Sequence, residues 1–135
     1  MFNLLISADA TAWESGRPMS MPAERFKEHS GNEAAEISAK EPNSLKALEE
    51  VPALLMYEWG TQGPSAHVVR YGFLEQIKRT GTILAFGFCC EAHCQRDLID
   101  EFAPYLALGD RERNRTHWAI KDGDIPRDML RRMVK

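Results

Sequence analysis

The chain reads as an α+β protein whose small antiparallel sheet, partly open or closing into a barrel, is built on one long hairpin with two or three short helices beside it. The first observation is alternation. Val69, Tyr71, Phe73 and Ile77 fall on alternate positions with Arg70, Gly72, Gln76 and Lys78 between them, and Leu84, Phe86 and Phe88 repeat the pattern on the return. The second is the punctuation between these runs, Lys78-Arg79-Thr80-Gly81-Thr82, where Gly81 supplies the left-handed backbone that closes a short loop. The third is bulk. With 135 residues, 44% of them hydrophobic and 27% charged, the chain can bury a core without staples, and residues 1–135 are expected to form a single domain. Gly72 and Gly87 interrupt the two runs, which predicts a bulge, a bend or a close backbone approach. Bent hairpins of this kind are how small barrels close.

In chain order, Phe2–Ser7 is a short apolar run expected to be an edge or first strand. Residues 8–43 carry little periodicity and are expected to wrap the sheet irregularly, anchored by Trp13 and Phe26. Within them, 32–40 has the composition of a short helix. Ser44–Glu50 predicts a better one, capped by Asn43 or Ser44, with Leu45 and Leu48 on one face. Val51 precedes Pro52, which disfavours helical geometry and ends it. Pro52–Tyr57 is apolar throughout and reads as a buried strand, and the glycines and proline of 59–65 make a loop. Gln95–Ala103 predicts a helix with Leu98, Ile99 and Phe102 apolar, and Pro104 stops it or starts a second turn that includes Leu106 and Leu108. Thr116–Lys121 predicts a strand with Trp118 and Ile120 on one side and His117 and Ala119 on the other. Ile125 onward predicts a final short helix, with Pro126 in its first turn, Asp128 near its start and Arg131, Arg132 and Lys135 toward its end.

A net charge of −3 argues against a general nucleic-acid binder. The opening MFNLLIS is too short for a signal peptide and lacks its basic flank, and no apolar run could span a bilayer. Three cysteines within six residues do not resemble a secreted disulfide framework. A cytoplasmic protein without membrane contact is expected.

Three groups of residues could carry chemistry. Cys89, Cys90, His93 and Cys94 have zinc-ligand chemistry, and on a helix Cys90 with Cys94, or Cys89 with His93, would meet across one turn. A four-ligand site would need His67 or His117 from elsewhere, and the same thiols could serve a thiol-dependent enzyme or simply fill the core. Arg113, Arg115, His117 and Lys121 could hold a phosphate, nucleotide or RNA backbone, or pair with internal carboxylates. Asp122, Asp124 and Asp128 suggest a calcium loop, but Pro126 breaks that pattern in favour of a turn and helix cap. Trp59 with Tyr57, beside a glycine-rich loop, reads as an anchor for a protein partner or a second copy. With no catalytic constellation in view, the leading expectation is a non-catalytic interaction module.

Four segments carry a resemblance: Trp13, Arg25-Phe26-Lys27-Glu28, Pro52-Ala53-Leu54-Leu55-Met56-Tyr57-Glu58, and Arg113-Asn114-Arg115-Thr116-His117-Trp118-Ala119-Ile120-Lys121-Asp122. Together they resemble a poorly characterised small bacterial domain associated with multidomain defence or signalling proteins. The resemblance spans most of the chain and implies an accessory or adaptor role, with no catalytic residues to carry over. The Cys89–Cys94 cluster lies outside its pattern.

Overall fold

The computed structural model describes residues 1–14 and 17–135. Six strands make one open, curled sheet: β1 (Phe2–Ser7), β2 (Met19–Pro22), β3 (Ala53–Tyr57), β4 (Val68–Thr80), β5 (Ile83–Gln95) and β6 (His117–Lys121), in the order β2-β5-β4-β3-β1-β6. Among the described residues, three short α-helices accompany it, α1 (Pro42–Ala47), α2 (Arg96–Phe102) and α3 (Arg127–Arg131). The α+β class on a long hairpin is the architecture that the alternation predicts.

The sheet is mixed rather than antiparallel throughout, because β1 and β3 pair in parallel. Both strands are buried along their whole length, as continuous apolar runs covered on two faces must be. Phe2, Leu4, Ile6, Leu54 and Met56 point to a core shared with Leu98 and Ile99 of α2 and Met129 of α3. Leu5, Leu55 and Tyr57 point to the other face, where Trp13, Leu45, Leu48 and Trp118 cover them. Each such side chain contributes about 1.5–3 kcal/mol by leaving water. β1 is not an edge: β6 pairs along its other side, antiparallel. Trp118 and Ile120 face one core and Ala119 the other, as their alternation predicts.

The segment expected to be irregular does wrap the sheet, with Trp13 buried and Phe26 packed edge-on against Trp118 at 5.0 Å. It also contributes β2, which four residues with a proline did not announce. It then covers the outer edge of β6, where Lys27 N–H donates to the Trp118 carbonyl (2.7 Å) and Gly31 N–H to that of Ile120 (2.9 Å). The helix expected over 32–40 is a 3-10 turn at Asn32–Glu36, held by the Asp122 carboxylate accepting from the N–H groups of Asn32 and Glu33. Asp122 is therefore a cap reaching across from another segment. α1 begins at Pro42 with no side-chain cap, so neither Asn43 nor Ser44 plays that part, and Leu48–Glu50 continues it as a 3-10 turn. In α3, Pro126 is the residue before the first turn rather than within it.

β4 and β5 are 13 residues each and close through Gly81 at φ 62°. Two bulges break their register. One leaves Glu91 as an extra residue on β5, between the pairs Gly72–Cys90 and Tyr71–Ala92. The other adds a residue to β4 between Glu75 and Lys78, where Gln76 takes a positive φ of 50°. Each bulge moves the following side chains to the opposite face. Leu84, Phe86 and Phe88 therefore join one core, whereas Ala92 and Cys94, further along the same strand, join the other.

Candidate functional site

The most polar buried point lies on β6 and the 3-10 turn before it (Glu112–Asn114). Glu112, His117 and Lys121 are each no more than 2% exposed. Glu112 Oε1 accepts from Lys121 Nζ at 2.8 Å, and Oε2 lies 2.8 Å from His117 Nε2. The other ring nitrogen, Nδ1, donates to the Arg115 carbonyl at 2.6 Å. Both nitrogens thus face oxygen atoms that can accept a hydrogen bond. Burial pushes the Glu112 carboxyl up, but the hydrogen bonds and charges of His117 and Lys121 outweigh it and hold the group below the ordinary carboxylate range. Lys121 Nζ also donates to the carbonyls of His29 and Ala107, both at 2.9 Å. That bond fixes a stretch in which Lys27 and His29 hold left-handed backbone, φ 74° and 58°. An open cleft of about 450 Å³ lies over the group, bordered by Ser30, Gly109 and Arg111.

This cluster brings His117 and Lys121 together but leaves them nothing to offer a phosphate. An ammonium has three donors, and all three on Lys121 are filled. Arg113 donates to Asp110 at 2.7 Å and lies 3.6 Å from Asp100, and Arg115 grips Glu28 through two bonds of 2.8 and 3.1 Å. All four residues read as a ligand set thus have carboxylate or carbonyl partners within the chain, although Arg113 Nε is buried without a hydrogen bond. Glu112, five residues before His117 and nine before Lys121, is their common partner.

Trp59 is half-buried, with its Nε1–H donating to Asp100 at 3.1 Å and the guanidinium groups of Arg96 and Arg113 over its ring at 5.0 and 5.8 Å. Tyr57 is 1% exposed, and its hydroxyl accepts from the Trp13 N–H at 3.0 Å. Tyr57 is therefore a core residue that no partner can reach. Trp59 supports a charged network inside the chain.

The cysteines sit on β5 instead of a helical turn, because the hairpin runs on to Gln95. Residues four apart on a strand stand about 13 Å apart at the usual rise per residue, so the pairings expected at helical spacing do not form. Cys89 and Cys90 are exposed, whereas Cys94 is buried and its thiol is pushed up to about 11 by burial. His93 is exposed and pairs its backbone with Val134. Among the described residues, no three or more His, Cys, Asp or Glu side chains converge as metal ligands would.

β5 carries a different feature. β2 covers its outer edge from Ile83 to Phe86, and Val134 covers it at His93, through two reciprocal bonds of 2.8 Å. Among the described residues, Gly87–Ala92 between them has no strand neighbour on that side. The free edge of β4 is guarded, by Glu75, Lys78 and Arg79 and by the Glu49 carboxylate, which accepts from Ile77 N–H at 3.1 Å. Gly87–Ala92 has no lysine, arginine or proline, the usual guards of an exposed edge, and only the bulge at Glu91 bends it away. Edge position depends on strand order, which the sequence pattern does not contain.

Comparison with family models, curated proteins and solved structures gives no match. The fold and this surface therefore carry the functional argument. Among the described residues, no helix is long and apolar enough to cross a membrane.

Proposed function

We propose that the chain is a non-catalytic interaction module that pairs an extended segment of a protein partner onto the β5 edge between Gly87 and Ala92. The observation that supports this reading is the unguarded row of backbone groups beside a point, His93, where the same edge already accepts an antiparallel neighbour. Strand addition takes its affinity from main-chain hydrogen bonds, so it needs no catalytic group and no metal. Such a module fits an accessory role in a bacterial defence or signalling assembly, the setting that the resemblance of the four segments implies.

A panel of labelled β-forming peptides read by fluorescence anisotropy tests the reading. Cys90→Lys places a guard residue on an exposed position of the edge, with an expected stability change within about 0.5 kcal/mol. Peptide binding is expected to disappear in that variant while the thermal midpoint holds. Binding that survives Cys90→Lys in full would overturn the assignment to this edge.

A further inference from the structure

We infer, resting on the strand-addition reading, that the segment received by β5 is short, extended and acidic. Its length follows from the limits of the free edge. Gly87–Ala92 spans about 20 Å at the usual rise per residue. A second copy would bring its own β5, 13 residues long, and that strand would run into β2 at one end and Val134 at the other. A loop or tail of a partner has no such continuation.

Its charge follows from what stands beside the edge. Because Val134 pairs antiparallel to His93, Lys135 lies next to Ala92, and an incoming strand in line with it passes Glu91 toward Gly87. Next to that point, between α3 and the β4–β5 ladder, opens a cleft of about 510 Å³, within the range of ligand-sized sites. Tyr71, Leu130 and Met133 form its apolar floor, and Arg127, Arg131 and Lys135 stand around it. Arg131 is paired with Asp128 at 3.2 Å, whereas Arg127 and Lys135 make no ion pair among the described residues. Glu91 is the one acidic residue of the lining. Alternate side chains of an added strand point to one face of the sheet, so an acidic side chain beside an apolar one suits both the cations and the floor.

The probes are a labelled peptide of alternating valine and glutamate, its counterparts with glutamine or lysine, and a version of the first interrupted by proline. The glutamate peptide is expected to bind tightest, to weaken as salt rises, and to lose about tenfold in affinity in the double variant Arg127→Glu, Lys135→Glu. The glutamine peptide should bind that variant and the unsubstituted protein alike. Equal binding of the glutamate and glutamine peptides, or tighter binding of the lysine peptide, would overturn the acidic partner and leave strand addition standing. Binding of the proline version as tightly as the uninterrupted one, or no binding of any, would overturn both.

Discussion

Glu112 is the residue on which most depends. Its carboxylate faces the buried His117 ring and the buried Lys121 ammonium, and removing its charge leaves Lys121 uncompensated where water cannot reach. Glu112→Gln keeps the shape and one acceptor, and is expected to cost about 3–5 kcal/mol, read as a lower urea midpoint at an unchanged slope. A loss under about 1 kcal/mol would mean that the group is as replaceable as a surface pair. His117 and Lys121 were legible in the sequence as polar residues on an otherwise apolar strand. Their role was not, because polar side chains at alternate positions look the same whether they face a ligand or an internal carboxylate. The partner's position decides, and it is set by how the 107–112 loop returns over β6.

The two hairpin glycines test the element that organises the sheet. A Cβ on Gly72 would lie 1.9 Å from the Cys89 carbonyl oxygen, a backbone atom that cannot swing aside, whereas one on Gly87 would meet nothing closer than 3.8 Å. Gly72→Ala should therefore cost about 3 kcal/mol or more, and Gly87→Ala should leave the thermal midpoint close to its starting value. Similar losses in both would show that glycine serves chain bending here instead of close approach. The hairpin itself could be read from the sequence because alternation is local. The bulges hid its far end: the switch at Glu91 moves the apolar positions to the other face, and Cys89–Cys94 then looks like the start of a helix. Yet Ala92 and Cys94 alternate with Glu91, His93 and Gln95, a period of two that would have extended the strand.

At the scale of the whole molecule, acid should unfold the protein mainly through its paired carboxylates. Hydrogen bonds from Arg115 and Arg132 hold Glu28 and Glu101 below their ordinary value, and Glu112 is held down against its own burial. A group whose folded pKa lies below its unfolded one contributes stability that is fully present above the unfolded value. That contribution is lost as the pH falls through the folded value. The thermal midpoint is thus expected to change little from neutral pH down to about 4.5 and to drop steeply below it, with Glu112 the main contributor because Glu101 is solvated. A profile that begins to fall near pH 6 would point to a different group. The fold class was legible at this scale, since composition and alternation are enough for it. The parallel β1–β3 pairing and the covered edge of β6 were not, because each joins segments distant in the chain.

The place of β1 between β3 and β6 also has a consequence for the chain as it is made. Asn3 lies opposite Ile120, so β1 acquires this neighbour only after every residue between them has been synthesised. Until then Phe2, Leu4 and Leu5 are without much of their cover, whereas β4 and β5, adjacent in sequence, can zip together as soon as both have emerged. Contacts of such long range slow folding, and an uncovered apolar strand can pair with a neighbour on the same polysome. During synthesis the β4–β5 hairpin can form early from neighbouring residues, whereas β1 waits longest for its cover and gains most from a chaperone.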